Sequence, residues 1–131
     1  MTDAMQRVVD IGPCESMDDE YLYWLCESTM RGYVEEIWGN WNAQDVRRQL
    51  TSMAQEERFR SIVVDGQRVG AIMYENGPPA LVLEQIFVEP ARQRTGIGSL
   101  VMMKLQGLAA EKSGRIELAV LSSNPAKLCL P

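Results

Sequence analysis

The chain has 131 residues, of which 46% are hydrophobic and 24% charged, too few for two domains that would each bury a useful core. Thirteen Lys and Arg against eighteen Asp and Glu give a net charge of -5, which argues against a nucleic-acid binder and suits a cationic partner. The absence of histidine removes the commonest general base and zinc ligand. We therefore expect no metal, and catalysis by carboxylates, tyrosines, thiols or backbone groups.

Cysteine usage and the N-terminal segment predict the cellular compartment. Cys14, Cys26 and Cys129 are an odd number without CxxC spacing, as expected of reduced thiols. Residues 1–10 contain neither a basic leader nor an apolar stretch, and no run approaches the ~20 apolar residues of a membrane span. We expect a cytoplasmic protein without membrane contact.

The first half of the chain is expected to form a strand and two helices. Apolar residues over 5–11, before a Gly-Pro break, predict a short strand. A helical repeat over 18–30 follows, with Ser16 or Asp18 as its N-cap and an expected end near Arg31-Gly32. After an aromatic and acidic connection over 33–41, Asn42 is expected to cap a second helix that reaches about Met53.

The second half is expected to form strands around a third helix. The pair Asp65-Gly66 is typical of a two-residue hairpin turn. The expected elements are strands over 61–64, 69–74 and 80–88, a helix from Ile97 that ends at Ser113-Gly114, and a strand over 116–121. The order β-α-α-β-β-β-α-β predicts an α/β (α+β) fold with a mixed, mostly antiparallel central sheet flanked by helices, and a parallel strand-helix-strand crossover at its end.

A glycine-bearing turn opens the third helix. At a helix N-terminus the first backbone N–H groups have no intrahelical partner, and Gly96 and Gly98 allow a phosphate to approach them closely. Arg92 and Arg94 add positive potential. The turn matches neither GxxxxGK[ST] nor GxGxxG. It predicts an anion site, and its alternative is a tight turn with no ligand.

Two neighbouring segments carry a family resemblance. LEQIFVEP at 83–90, followed by QRTGIG at 93–98, resembles the acetyl-CoA signature of the GNAT superfamily of N-acetyltransferases, whose loop reads Q/R-x-x-G-x-G/A. The element order over 1–124 is also similar to that family. The resemblance implies one acetyltransferase-like domain, with the acceptor side in 1–58, the sheet and acetyl-CoA motif in 59–124 and a shortened tail in 125–131.

The resemblance implies acetyl-CoA as co-substrate. Main-chain N–H groups of 93–98 would wrap the pyrophosphate of coenzyme A, and the strand edge at 86–88 would hold the pantetheine arm and polarise the thioester carbonyl. This predicts a splay between the strands that end at Val88 and Leu121. Asn124 would touch the cofactor or cap a following helix. The expected cofactor contacts are Ile86, Phe87, Val88, Gln93, Arg94, Thr95, Gly96, Ile97, Gly98, Ser99 and Asn124.

Glu84 is the candidate catalytic base. It lies in a strand that is apolar except for Glu84 and Gln85, on the face expected to hold Val82, Ile86 and Val88. Burial would raise its pKa toward the range that a base needs. The alternative is a structural pair with an arginine beneath the sheet, and Glu117 is the reserve base.

The amine acceptor is expected to contact the aromatic connection between the first two helices. Tyr33 and Trp38 are the substrate candidates there, beside carboxylates that suit a cation. The alternative is packing against the core, because Trp and Tyr often close over it.

The tail departs from the family pattern. Only seven residues follow Asn124, where the family continues into a helix bearing a tyrosine acid and two more strands. An open sheet edge would result, and a homodimer could cover it. The expected function is N-acetyl transfer from acetyl-CoA to a primary amine. The alternatives are a degenerate module that binds coenzyme A or acyl-CoA without turnover, and a structural interaction domain.

Overall fold

A computed structural model describes residues 8–14 and 17–118. Within these residues the order of elements is β-α-α-β-β-β-α-β, as the sequence predicts. The elements are β1 (Val9–Cys14), α1 (Asp19–Trp38), α2 (Ala43–Gln55), β2 (Arg60–Val64), β3 (Gln67–Asn76), β4 (Leu81–Val88), a 3₁₀ turn (Pro90–Arg92), α3 (Ile97–Ala110) and β5 (Ile116–Leu118). None of the helices in this part of the chain is long and apolar enough to cross a membrane.

The five strands form one mixed sheet in the order β1-β2-β3-β4-β5. Antiparallel pairing joins the first four, and β5 pairs parallel to β4 through Leu81–Leu83. The predicted hairpin is present: Asp65 and Gly66 have φ of 51° and 85°, the left-handed conformations that a tight two-residue turn requires. The parallel pairing confirms the predicted crossover through α3.

The first helix is longer than the sequence analysis expects. It begins after Asp18, whose carboxylate accepts a hydrogen bond from the Tyr21 N–H, and it ends at Gly39, where φ is 91°. Glycine inside a helix costs about 1 kcal/mol, and Gly32 is tolerated because the following turn buries Val34. The connection expected over 33–41 is therefore helical as far as Trp38.

The first strand also passes the expected break. β1 extends to Cys14 through Gly12-Pro13, with a register irregularity between Ile11 and Cys14. Because β1 is an edge strand, the missing proline N–H costs no ladder hydrogen bond.

Apolar residues pack on both faces of the sheet. One cluster joins α1 and α2 to Ala71, Met73 and Phe87. The other joins α3 to apolar residues on the opposite face of the sheet, among them Ile62, Leu81 and Leu83. The site described below lies where β4 ends between these two layers.

A β-bulge in β4 changes which residues share a face. The register passes from Met73–Gln85 to Tyr74–Leu83, so Glu84 is the extra residue. Leu83, Ile86 and Val88 all pack with the α3 cluster, although they do not alternate regularly. The expectation that Glu84 shares a face with Ile86 and Val88 is therefore wrong. The prediction followed from strict alternation along the strand, which holds only where no bulge interrupts the pleat.

Two expectations lie outside the described residues. β5 is described as far as Leu118, so the predicted splay near Leu121 is not covered. The same holds for Asn124 and the tail over 125–131.

Candidate functional site

A cavity of about 750 Å³ lies at the carboxyl end of β4, between α1 and α3. Its lining comes from α1 and from the consecutive segment formed by β4, the turn and α3. The residues are Thr29, Met30 and Tyr33 of α1; Ile86, Phe87 and Val88 of β4; Arg92, Gln93 and Arg94 of the turn; and Gly98, Ser99, Met102, Met103 and Gln106 of α3. Eight of the thirteen predicted cofactor or substrate residues are therefore brought together: Tyr33, Ile86, Phe87, Val88, Gln93, Arg94, Gly98 and Ser99.

The N-terminus of α3 faces this cavity through Gly98 and Ser99. Its N-cap is Gly96, with φ of 88° and no side chain to accept a hydrogen bond from the first turn. The Leu100 N–H donates to the Gly96 carbonyl at 3.1 Å, which is the first bond of the helix. The earlier N–H groups have no partner within the helix, so this end of α3 can bind an anion.

The turn before α3 is held by its own polar groups. The Gln93 side chain donates to the Val88 carbonyl at 3.0 Å, and the Thr95 hydroxyl donates to the Arg92 carbonyl at 2.5 Å. Arg94 has φ of 63°, a left-handed conformation that is uncommon for a residue with a side chain. With Gly96, it turns the chain sharply into the helix.

Two arginines give the cavity a positive end. Arg92 donates to the neutral Gln67 amide oxygen at 2.8 Å. Arg94 is exposed and forms no ion pair within the described residues. Neither guanidinium is neutralised by a carboxylate there, so both can attract a phosphate.

A close backbone contact sets the position of the strand end. Gly70 of β3 is paired with Val88, and a Cβ at Gly70 would lie 2.1 Å from the Phe87 carbonyl oxygen. Only glycine permits this approach. The contact fixes the cavity wall formed by 86–88.

Three predicted loop residues contribute indirectly. Ile97 is 1% exposed and packs in the α3 cluster, and Gly96 acts as the helix cap. Thr95 ties the turn to Arg92. None of these three lines the cavity.

Glu84 is ion-paired rather than exposed to the cavity. Its carboxylate accepts a hydrogen bond from the Arg58 guanidinium, its side chain is 27% exposed, and it is absent from the lining. Although burial lowers the pKa of Arg58, interactions with Glu84 and other carboxylates together raise it above its usual value. The alternative left open by the sequence, an arginine pair, is thus present.

The other candidates separate clearly. Tyr33 is 48% exposed and lines the cavity, whereas Trp38 ends α1 and does not line it. Glu117 is exposed on β5 and pairs with Arg115 at 3.0 Å. Among the described residues, no group of three or more Cys, Asp or Glu could hold a metal ion.

Sequence reasoning missed much of the apolar wall. Met102, Met103 and Gln106 follow Ser99 at helical spacing, so they share one face of α3. Thr29 and Met30 lie one turn before Tyr33. The same periodicity, applied outward from Ser99 and Tyr33, would have identified both sets.

Comparisons with known proteins identify the family and the fold. The family model for the acetyltransferase (GNAT) family matches residues 17–128. No curated protein matches the sequence. Three solved structures illustrate the fold.

An acetyltransferase from Thermus thermophilus is 20% identical with a TM-score of 0.55, covering 90% of this chain and 79% of that chain. A ribosomal-protein-alanine N-acetyltransferase from Brucella melitensis biovar Abortus 2308 is 20% identical with a TM-score of 0.56, covering 85% and 79%. PaiA N-acetyltransferase from Thermoplasma acidophilum, solved in complex with coenzyme A, is 15% identical with a TM-score of 0.53, covering 89% and 82%.

The chain belongs to the GNAT acetyltransferase family, because the match extends over most of its length. It is an acyltransferase, and acetyl-CoA is the acetyl donor that members of this family use. The resemblance carried by residues 83–98 is confirmed at the level of the family and the fold.

Proposed function

We propose that the protein transfers the acetyl group of acetyl-CoA directly to a primary amine of a small molecule or protein, within a ternary complex. The observation that carries the proposal is the cavity that joins the α3 N-terminus, the end of β4 and the α1 wall. A thioester donor and an amine need such a shared space, because direct transfer requires the reacting atoms to lie within about 3–3.5 Å.

The proposed cofactor contacts divide by chemistry. The residues from Gln93 to Ser99, with Asn124, bind coenzyme A, and the pyrophosphate lies against the α3 N-terminus with Arg94 as a counter-charge. The pantetheine arm follows Ile86, Phe87 and Val88. A backbone N–H there donates to the thioester oxygen and stabilises the negative charge that develops during attack.

The reaction balances without a metal. The neutral amine nitrogen attacks the thioester carbonyl carbon, a C–N bond forms, and the C–S bond breaks to release coenzyme A. The amine loses one proton, and the departing sulfur gains one. Glu84 is the proposed acceptor of the amine proton, and it acts through water since its carboxylate does not line the cavity.

The Arg58–Glu84 pair favours a second candidate function. The Glu84 carboxylate already accepts a hydrogen bond from Arg58 and does not line the cavity, so it does not face a bound amine directly. A module that binds coenzyme A or acyl-CoA without turnover fits this arrangement. Glu84→Gln tests whether Glu84 is a general base or only the ion-pair partner of Arg58. Unchanged turnover from about pH 6 to pH 9 would remove the base assignment.

Tyr33 is the proposed acceptor contact. It is exposed at the cavity mouth, where an aromatic face can hold a cationic amine. Trp38 lacks that support. Tyr33→Ala is expected to raise the KM for the amine and leave coenzyme A affinity unchanged, and Trp38→Ala serves as its control.

Calorimetric titration with acetyl-CoA, followed by thiol release with a panel of monoamines, diamines and lysine peptides, tests the function. Binding with turnover supports the acetyltransferase. Binding without turnover for every amine supports the non-catalytic module. Absence of binding by the folded protein overturns both and leaves a structural interaction domain.

The homodimer stays a prediction. Light scattering at micromolar concentration measures it directly, and a monodisperse monomer would contradict it.

A further inference from the structure

A polar cluster joins α1 to the start of the anion-binding turn. The Tyr21 hydroxyl donates to Glu89 Oε2 at 2.8 Å, and the Arg68 guanidinium lies 3.8 Å from the centre of the Tyr21 ring. Tyr21 and Glu89 are both half-buried. The three residues come from α1, β3 and the chain just after β4. None of the three lines the cavity.

The backbone of Glu89 is also fixed on both sides. Its N–H donates to the Val69 carbonyl at 2.8 Å, and its carbonyl accepts from the Arg92 N–H at 2.8 Å. Because both backbone groups of Glu89 are hydrogen-bonded, only its side chain can change partner. Burial and the hydrogen bond to Glu89 raise the pKa of Tyr21, so its hydroxyl keeps the donated proton at ordinary pH.

The location of this carboxylate presents an electrostatic problem. Glu89 is the N-cap of the 3₁₀ turn and stands three residues before Arg92, so their backbones lie about 6 Å apart along the turn axis. That is less than the Debye length of about 8 Å at physiological ionic strength. Arg92 and Arg94 follow Glu89 by three and five residues, so a free Glu89 side chain could reach these cations, and such an ion pair would compete with a phosphate.

The observed contacts prevent that pairing. Arg92 is bonded to the neutral Gln67, and Arg94 has no acidic partner within the described residues. Glu89 points instead to the Tyr21 hydroxyl. The cation beside the Tyr21 ring adds positive potential on that side.

We propose that Tyr21, supported by Arg68, is a positioning residue that holds the Glu89 carboxylate away from Arg92 and Arg94, so that both arginines stay available to the phosphates of coenzyme A. The inference rests on the proposed binding of coenzyme A at this turn. Tyr21 would thus affect cofactor affinity although its side chain does not line the cavity.

A double-mutant cycle on the full chain tests the proposal, with calorimetry of coenzyme A at about 0.05 M and about 0.5 M NaCl. Tyr21→Phe is expected to weaken binding about 3- to 10-fold at low salt, and less at high salt, because the competing ion pair is screened. Glu89→Gln is expected to bind at least as tightly as the wild type. The pair Tyr21→Phe and Glu89→Gln together is expected to restore wild-type affinity.

Tyr23→Phe is the matched control. Its hydroxyl also lies near a carboxylate, that of Glu27 at 3.4 Å, on the same helix, but away from the turn. It is expected to change stability without changing coenzyme A affinity. A purely structural role for Tyr21 would give a salt-independent loss that Glu89→Gln does not restore.

The outcomes separate this inference from the proposed function. Wild-type protein that fails to bind coenzyme A overturns both. Wild-type binding with unchanged affinity in Tyr21→Phe, or without restoration in the double variant, overturns only the role of Tyr21. Melting temperatures of all variants, measured alongside, verify that each protein is folded.

Discussion

The turn that leads into α3 and the helix pair α1–α2 differ in how they form a site. The turn works through backbone groups: a glycine cap, uncapped N–H groups and a strand end held by a glycine contact. The helix pair works through side-chain packing, with Tyr23, Trp41 and Arg47 joined by a hydrogen bond of 2.9 Å and a cation–π contact of 3.9 Å. The turn can therefore be recognised from a short sequence motif, whereas the helix pair can be recognised only from the periodic spacing of its apolar residues.

This comparison predicts that small changes in the turn region alter cofactor affinity. Changes in the helix pair, apart from Tyr21 and Tyr33, should alter stability alone.

Gly70→Ala should affect both properties. The new Cβ would lie 2.1 Å from the Phe87 carbonyl oxygen, and because that atom belongs to the backbone, the strand end must shift. We expect a loss of about 2–3 kcal/mol in the free energy of unfolding, measured with urea, together with weaker coenzyme A binding. Gly77→Ala, with nothing within 4 Å of the added Cβ, is the control. Wild-type stability in Gly70→Ala would contradict the close contact.

Gly98→Ala should separate affinity from stability. No atom lies within 4 Å of the added Cβ, so the fold accommodates alanine, and helix propensity favours it. The methyl group nevertheless occupies the cavity lining, and we expect about 10-fold weaker coenzyme A binding, equivalent to about 1.4 kcal/mol. Gly107→Ala, on the same helix and outside this cavity, should leave affinity unchanged. Equal coenzyme A affinity in the two variants would contradict a role of the turn region in cofactor binding.

The pH dependence of stability should report on α1. Burial, followed by the charge of Glu27, raises the pKa of Cys26 from 9.0 to about 12. The unfolded chain releases this proton first, so the contribution is complete below pH 9 and is lost as the pH rises from about 9 to about 12, by at most about 1.4 kcal/mol per pH unit. Tyr21, whose pKa is also raised by burial, acts in the same direction. Urea midpoints measured from about pH 8 to about pH 11 test this, and Cys26→Ala should flatten the decline.

Asn42→Ala should have the smallest effect and should stay within the helix pair. The Asn42 side chain accepts a hydrogen bond from the Asp45 N–H at 3.0 Å and caps α2. Its loss should cost about 1 kcal/mol of unfolding free energy with no change in coenzyme A affinity. Asn40→Ala, at an exposed position between the helices, is the control. A change in cofactor affinity would show that α2, and not only Tyr21 of α1, is coupled to the turn.

Much of the fold follows from local sequence signals. The Asp65-Gly66 turn, the Asn42 cap and the spacing of Ile97, Val101 and Leu105 each predict an element that the structure contains. Those signals act over a few residues, so they can be recognised without knowing which distant residues each element packs against. The end of α1 was mispredicted since Gly32 is a break in isolation and is tolerated only when the next turn is buried.

The sequence by itself determined the order of elements, the glycine turn before α3 and the family, because turn chemistry and glycine spacing act through local backbone geometry. Only the tertiary structure decided what faces the cavity. The bulge at Glu84 changed the strand face, Arg58 approached from another part of the chain, and Tyr21 reached Glu89 across 68 positions of sequence. Such contacts depend on how distant segments pack, and no local pattern encodes that packing.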